Sequence, residues 1–399
     1  MRHWLLSLLL AMGVASSVVA CSKAPSSAPP PRFPVTPTST ATPTATPEPP
    51  LTWERVATLP GNDLIWSLHV EPGNIYLGTR NRKEGAELWK VSQQGSSFTA
   101  APIAQAGLGN RQNIDLYGFQ YFNGSYYAGT FNPEQGASLL RSADWTTWET
   151  VASNGLGERN FDFISFDLFR PFPIPSIPGV LLVGTWNLDD QGQVWRSTDG
   201  VAFKKVLDLP RYNSYAWSLR FWDNYEWAIG RGQLALYYSS DAINWLPREP
   251  RSDDPVKEGG RGSAVVFGSN LWLALSERSN FWLLIMEHGS WNQTAIPRDQ
   301  FPQSLNQLGT FNLLAHQYPS GECLLVGTHT AGSSEAAKVY RSLDGKTFEP
   351  IFQGTAPLSE NIISAMQSVG GRVVIAVGNQ YKEWEGEAAR YISNRNPCS

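Results

Sequence analysis

VLLVGTWNLDDQGQVWRSTDGVAFKKV, residues 180–206, reads as an apolar strand ending in Gly-Thr, a polar loop, a second strand, a tight turn and a strand carrying an aromatic residue. Short apolar runs bounded by Gly, Asn and Asp mark β-strands rather than helices. The first part of this line returns as NIYLGT (74–79), SYYAGT (125–130), YEWAIG (225–230), LWLALS (271–276), CLLVGT (323–328) and VVIAVG (373–378). Helical periodicity is nearly absent from residue 51 onward, so this part of the chain reads as all-β. The composition agrees. With 42% hydrophobic, 12% aromatic and 17% charged residues, the 399-residue chain is neither wholly disordered nor a coiled coil. Its net charge of −4, with no basic stripe, argues against nucleic acid as the main partner.

Equivalent positions of the seven units lie 45–55 residues apart, the period of a four-stranded propeller blade. The expectation is a seven-bladed β-propeller over residues 51–399. The last unit runs short: after VVIAVG comes a loop, then a strand near Ala389–Ser393, and no fourth strand. LTWERVATLP (51–60) resembles the segments that end other units, TTWETV (146–151) and KKVLDLP (204–210). Residues 51–59 are therefore expected to complete the last blade beside the C-terminal strand, which would remove the exposed sheet edges. A six-bladed ring with an extra hairpin is the alternative.

RSADWTTWETV (141–151), RSTDGVAFKKV (196–206), YSSDAINWLPR (238–248) and RSLDGKTFEPI (341–351) share Ser-x-Asp and, four residues on, an aromatic. VSQQGSSFTAA (91–101) and MEHGSWNQTAI (286–296) are degenerate copies. The pattern resembles the Asp-box, or BNR, repeat of β-propellers such as sialidases, xyloglucan hydrolases, sortilin-type receptors and photosystem assembly factors. Its reading is structural. The side chains of Ser142 and Asp144, Ser197 and Asp199, Ser239 and Asp241, and Ser342 and Asp344 can fold back on N–H groups of their turns. Trp148, Phe203, Trp245 and Phe348 would then pack inside the blades. The resemblance implies that these turns lie on the face opposite any active site.

Residues 1–20 start with Arg2, run apolar from Trp4 to about Val14 and end in small residues at Ala20. This is the layout of a secretory signal peptide, too short to span a membrane. Val18-Val19-Ala20-Cys21 resembles a bacterial lipobox, which implies cleavage before Cys21 and lipidation of that cysteine; an ordinary signal with a chance cysteine is the alternative. From Cys21 to residue 50 the chain is mostly Ser, Ala, Pro and Thr, a stalk that buries no core and stays extended. The expected location is the bacterial cell envelope, exported, lipid-anchored and facing outward. With Cys21 acylated, Cys323 and Cys398 remain; export permits a disulfide between them, and two free thiols are the alternative. His69, His288, His316 and His329 show no metal-ligand spacing, and no cofactor is expected.

In a propeller, the loops joining blades and the loops between second and third strands share one face. Here they are long and polar. Inner-strand segments LIWSL (64–68), DLYGF (115–119), YAWSL (215–219) and NIISA (361–365) echo one another. Their small residues suit packing where strands converge, and their aromatics wedge between blades. The sharper reading makes Trp66, Tyr117 and Trp217 a platform for sugar rings or cations. The sialidase resemblance implies arginines for a substrate carboxylate, and Arg80, Arg111, Arg159, Arg211, Arg261 and Arg278 fall on the candidate face. Asp115, Asp162, Asp189, Asp190 and Glu258 are carboxylates available by placement, each of which also reads as a solvated loop charge. That family's early Phe-Arg-Ile-Pro motif is missing, and no Ser-His-Asp set or phosphate loop is legible. The expected function is a membrane-anchored lipoprotein presenting a non-catalytic propeller to a glycan or protein ligand. An exo-acting glycoside hydrolase and an assembly factor for an exported complex are the alternatives.

Overall fold

The computed structural model describes residues 50–398 apart from 159, 161, 170–178, 188–190, 211–214, 231, 234, 250, 252–253, 255–257, 260, 278–279, 297–308, 331–335, 356–359 and 380–387. Residues 1–49, with Cys21 and the stalk, lie outside the described residues. Among the described residues no helix is long and apolar enough to cross a membrane.

The chain opens with β1 (Trp53–Leu59). It then runs through antiparallel groups in which each strand pairs with the one before it. These are β2 (Leu64–Glu71), β3 (Asn74–Arg80), β4 (Leu88–Gln94) and β5 (Ser97–Pro102); β6 (Asp115–Phe122), β7 (Ser125–Phe131), β8 (Leu139–Ser142) and β9 (Glu149–Ala152); and β10 (Asp162–Phe169), β11 (Val180–Trp186), β12 (Gln193–Ser197) and β13 (Lys204–Asp208). In the next group, β14 (Ala216–Trp222), β15 (Tyr225–Gly230), β17 (Ala235–Ser239) and β18 (Leu246–Pro247) pair in turn, and short β16 (Gly232–Gln233) pairs with β19 (Glu258–Gly259). Then come β20 (Arg261–Phe267), β21 (Asn270–Glu277), β22 (Asn280–Met286) and β23 (Gln293–Ala295), followed by β24 (Gly309–Tyr318), β25 (Gly321–His329), β26 (Lys338–Ser342) and β27 (Glu349–Gln353). The last group is β28 (Ile362–Val369), β29 (Arg372–Gly378) and β30 (Ala388–Ser393). Its fourth strand is β1, antiparallel to β30 from Trp53 opposite Ser393 to Leu59 opposite Ala388.

The first strands of the groups neighbour one another in turn: β2 and β6, β6 and β10, β10 and β14, β14 and β20, β20 and β24, β24 and β28, and finally β28 and β2. The core lies between groups rather than within any one. Leu77 and Val91 pack with Val374 and Ile392, Leu88 with Leu116 and Leu140, and Leu273 with Trp217 and Trp227. Each wholly buried Leu or Val contributes roughly 1.5–3 kcal/mol, so each seam carries much of the stability.

That close approach dictates the glycine of the repeated Gly-Thr. A Cβ on Gly78 would stand 2.1 Å from Ser67 Oγ, one on Gly129 2.3 Å from Phe163 Cβ, and one on Gly184 2.1 Å from Ser165 Oγ. The threonine has a separate task. The hydroxyls of Thr79, Thr130, Thr185 and Thr328 accept the N–H groups of Glu87, Ser138, Gln193 and Lys338, which fixes the path into the third strand.

Candidate ligand channel

The first strands carry β-bulges. Register slips between Ile65 and Ser67, Tyr117 and Phe119, Ala216 and Ser218, and Ile363 and Ala365. A bulge re-aims the extra residue, here Trp66, Gly118, Trp217 and Ser364. The small residues of these strands do more than fill space. Ser67 Oγ donates to Leu116 O (2.9 Å) and Ser165 Oγ to Ala216 O (2.7 Å), each crossing to the next first strand. Asn312 Nδ2 donates to Ser364 O (2.9 Å), and Ser263 Oγ accepts from Leu313 N–H (3.2 Å).

Between these strands lies a cavity of about 260 Å³. Its walls are the rings of Trp66, Tyr117, Phe166, Tyr215 and Trp217, the polar groups of Asp162, Ser165, Ser218, Arg220, Ser263, Asn312 and Ser364, and Leu219 and Gly262. Four of the sequence candidates, Trp66, Tyr117, Asp162 and Trp217, thus meet in one space.

Two more candidates, Arg80 and Asp115, form a lock beside it. They face each other across the β3–β6 junction and make a buried bidentate pair, Nε and Nη2 each 2.7 Å from a carboxylate oxygen. Burial opposes the Arg80 charge, but the Asp115 carboxylate overrides it and holds the guanidinium pKa above its ordinary value. The Tyr117 hydroxyl donates to Asp115 Oδ2 (3.2 Å). Arg80 lies over one face of Trp66 (4.9 Å), and Tyr117 stacks on Trp66 at 5.1 Å. Trp66 is held by both neighbours and is only 8% exposed on the cavity wall.

The same junction recurs with other chemistry. The residue after Gly-Thr bridges to the start of the next first strand: Phe131 to Asp162, Trp186 to Tyr215 and His329 to Ile362. Phe131, Trp186 and Tyr215 form a continuous stack, 5.2 and 4.7 Å between centroids and within 15° of parallel. Sequence reasoning missed this stack; its signal was the residue following each Gly-Thr. It also missed the buried asparagines of the inter-strand loops. Thr79 donates to Asn62 Oδ1 (2.6 Å), Thr130 to Asn113 Oδ1 (3.2 Å) and Thr185 to Asn160 Oδ1 (3.0 Å), holding those loops against the strand ends.

Arg111 is exposed on the surface, paired with Glu84. Glu258 and Arg261 begin β19 and β20, and their side chains lie outside the described residues, as do Arg159, Asp189, Asp190, Arg211 and Arg278 altogether. Among the described residues no group of three or more His, Cys, Asp or Glu is placed to hold a metal ion.

The Ser-x-Asp turns are closed by their own side chains. Ser142, Ser197 and Ser342 Oγ accept the N–H three residues on, and Ser239 Oγ that of Asp241. Oδ1 of Asp144, Asp199, Asp241 and Asp344 each accepts two further turn N–H groups at 2.8–2.9 Å. The N–H groups of Thr147 and Thr146 hold Asp144 down at about 2, and those of Thr347 and Lys346 do the same for Asp344. Phe348 is buried, whereas Trp148, Phe203 and Trp245 are half-buried. The residue after each Asp has positive φ: Trp145 (67°), Gly200 (78°), Ala242 (55°) and Gly345 (71°). Trp145 accepts that backbone because its ring stacks on Tyr76 of the preceding group at 4.0 Å and its indole N–H donates to Glu71. Cys323 and Cys398 are joined in a disulfide, with Cα atoms 5.9 Å apart.

Solved structures share this architecture. A catalytically inactive virginiamycin B lyase from Staphylococcus aureus with quinupristin superposes with a TM-score of 0.60 at 11% identity, over 86% of this chain and 99% of that one. The WD40 β-propeller domain of Doa1 gives 0.55 at 10% identity, over 87% and 99%. The fold is a β-propeller. A Niastella koreensis GH74 enzyme gives 0.50 at 12% identity, covering 80% of this chain and 51% of its own. The three propellers include a lyase, a WD40 domain and a GH74 enzyme, so the likeness carries the fold and no chemistry. No protein-family model and no curated protein matches the chain.

Proposed function

We propose that this protein is an exported, lipid-anchored lipoprotein whose seven-bladed propeller binds a glycan at the channel without turning it over. The blade count is supported by the four-strand groups and by the circuit of first strands that returns from β28 to β2. The pairing of β1 with β30 supports closure by the N-terminal strand. The lipobox-like Val18–Cys21 and the proline-rich stalk support the anchor and an outward-facing place in a bacterial envelope.

The observation that carries the binding reading is the cavity itself, where aromatic rings alternate with hydroxyl and amide groups. Such surfaces suit the apolar faces and polar edges of sugars. At about 260 Å³ it lies just below the usual ligand-pocket range, which fits one residue of a longer chain rather than a whole oligomer. Hydrolysis of a glycosidic bond ordinarily needs two carboxyl groups about 5–10 Å apart. Among the described residues Asp162 is the single carboxylate on the cavity wall, and Asp115 is held by Arg80.

A glycan array and a fluorogenic glycoside panel on the purified protein test this reading. Binding without turnover, weakened by Tyr117→Ala, is expected. Turnover abolished by a carboxylate substitution would replace it with a glycoside hydrolase, and silence in both screens would favour a protein partner. Palmitate labelling that persists in Cys21→Ala would refute the anchor.

A further inference from the structure

We propose that the closing seam, between the last group of strands and the first, seats an aromatic side chain that a partner protein presents beside acidic residues. This goes beyond the channel reading and does not rest on it. At the other seams, the place beside the earlier group's first hairpin is filled by a residue of the later group. Trp145 fills it between the first and second groups, its ring on Tyr76 at 4.0 Å and its indole N–H donating to Glu71 (3.1 Å). Gly200 lies against Phe122 and Tyr127, and Gly345 against Phe267 and Trp272. Ala242 packs with Phe169. Trp291 meets Trp227 edge-on at 5.0 Å and donates to Asp223 (2.6 Å). Ahead of the last group the C-terminal tail takes this part, with Cys398 bonded to Cys323 and clustered with Tyr318.

At the closing seam the place is open. The turn that would fill it, between β4 and β5, is only Gly95-Ser96, and both residues are exposed. A Cβ on Gly95 would meet nothing within 4 Å. A cavity of about 200 Å³ remains, walled by Val70, Ile75, Val91 and Phe98 of the first group and by Val369 and Ile392 of the last. Strand register shows that the place is the same one. Val369 stands opposite Arg372 as Glu71 does opposite Asn74, and Ile75 opposite Val70 as Tyr126 does opposite Tyr121. Val369 and Ile75 thus hold the positions that Glu71 and Tyr126 hold around Trp145. An apolar cavity of about 150 Å³ accepts benzene, so this one is of the size for a single ring system. A ring carried on an exposed turn is what the fold itself places at two of the equivalent seats, and a partner segment would repeat that contact from outside. Aromatic anchors in small apolar pockets carry much of the energy of protein interfaces. The rim sets the charge. Arg372 Nε donates to Ser393 O (2.5 Å), and no carboxylate answers its guanidinium among the described residues. Glu71, on the same rim, is occupied by Tyr126 and Trp145 and lies 3.8 Å from His69 Nε2. The unanswered charge at the mouth is positive and suits acidic residues beside the ring.

Fluorine NMR titration of the purified full chain, in detergent, with acetyl-Gly-Asp-Trp-Asp-Gly-amide fluorinated on its indole tests this. Unlabelled peptides then compete. Replacing Trp by Ala should weaken competition at least about thirtyfold, the loss of an interface anchor, and replacing both Asp by Asn about two- to fivefold. Gln93→Trp, at the exposed rim, fills the seat from within and should abolish binding. Arg372→Gln should erase the preference for Asp over Asn, and Arg111→Gln, remote on the surface, should change neither. Absence of binding, or equal competition by the Trp and Ala peptides, overturns the proposal. If free indole competes as well as the peptide, the seat takes a small apolar ligand and the proposal falls. If the protein sediments as a dimer that Gln93→Trp dissociates, a second copy holds the seam and it falls equally. The peptide comparison needs no substitution, so a misfolded variant does not spare it.

Discussion

Replacing Cys323 and Cys398 together by alanine removes a cross-link between β25 and the tail that follows β30. The bridged residues are 75 apart in sequence. In the chain-entropy account, closing a loop of that length removes about 15 cal/mol/K from the unfolded ensemble, or about 4.5 kcal/mol at 25 °C. Both residues lie in a buried cluster with Leu325, Val339, Ile375 and Tyr391, so alanine also forfeits some packing. The tail has further ties. Arg341 Nη1 donates to Pro397 O (2.5 Å), Asn394 N–H to Thr52 O, and Thr52 N–H to Asn394 Oδ1 (2.9 Å). These reduce how far the tail frays when the cross-link is lost. The expected net loss is therefore about 3–5 kcal/mol. Urea unfolding followed by tryptophan fluorescence measures it, comparing the oxidised protein, the protein in reductant and the double alanine variant. Reductant should shift the first protein to the midpoint of the variant and leave the variant unmoved. A loss below about 1 kcal/mol, or free thiols in the exported protein, would refute the reasoning.

Three further outcomes follow from single contacts. Burial lowers the pKa of His329 to about 4; unfolded His329 titrates near 6.5, so its neutral form stabilises the fold fully above pH 6.5. That contribution, about 3 kcal/mol, is lost as pH falls toward 4, and His329→Gln should flatten the pH dependence of the urea midpoint over that window. Gly184→Ala would place a Cβ 2.1 Å from Ser165 Oγ and 2.4 Å from Ala216 O, and should cost roughly 1–3 kcal/mol. Adding Ser165→Ala should not rescue it, because the backbone oxygen remains. Arg80→Met alone strands a buried Asp115 and should cost about 3–5 kcal/mol, whereas Arg80→Met with Asp115→Leu should cost far less; equal losses in a thermal melt would show that the lock acts by packing alone.

The fold was readable because its demands repeat. Each unit must bring a second strand close to the next unit's first strand, and that approach leaves room only for glycine at 78, 129 and 184. Each must tie the path into its third strand, and the threonine hydroxyls at 79, 130, 185 and 328 do so. A constraint imposed once per unit prints itself once per unit, and the Gly-Thr line is that print. The Ser-x-Asp turns are legible for the same reason, since their hydrogen bonds close within six residues. Trp145 shows the limit of local reading. Its place in the left-handed region depends on Tyr76 and Glu71, which lie some 70 residues earlier in the chain.

The channel was readable only where it shares that repetition. Trp66, Tyr117 and Trp217 stood out because their strands echo one another, yet what each can do depends on neighbours outside the echo. Arg80, drawn from the end of another strand, covers one face of Trp66 and takes Asp115 out of play. Arg220 follows directly on YAWSL (215–219), one residue past the echo. The difference lies in what each meets: Asp115 answers Arg80, whereas the Arg220 Nε has no hydrogen-bond partner. What such an arginine can do is decided by the groups it meets across a seam, and a one-dimensional pattern does not carry that information.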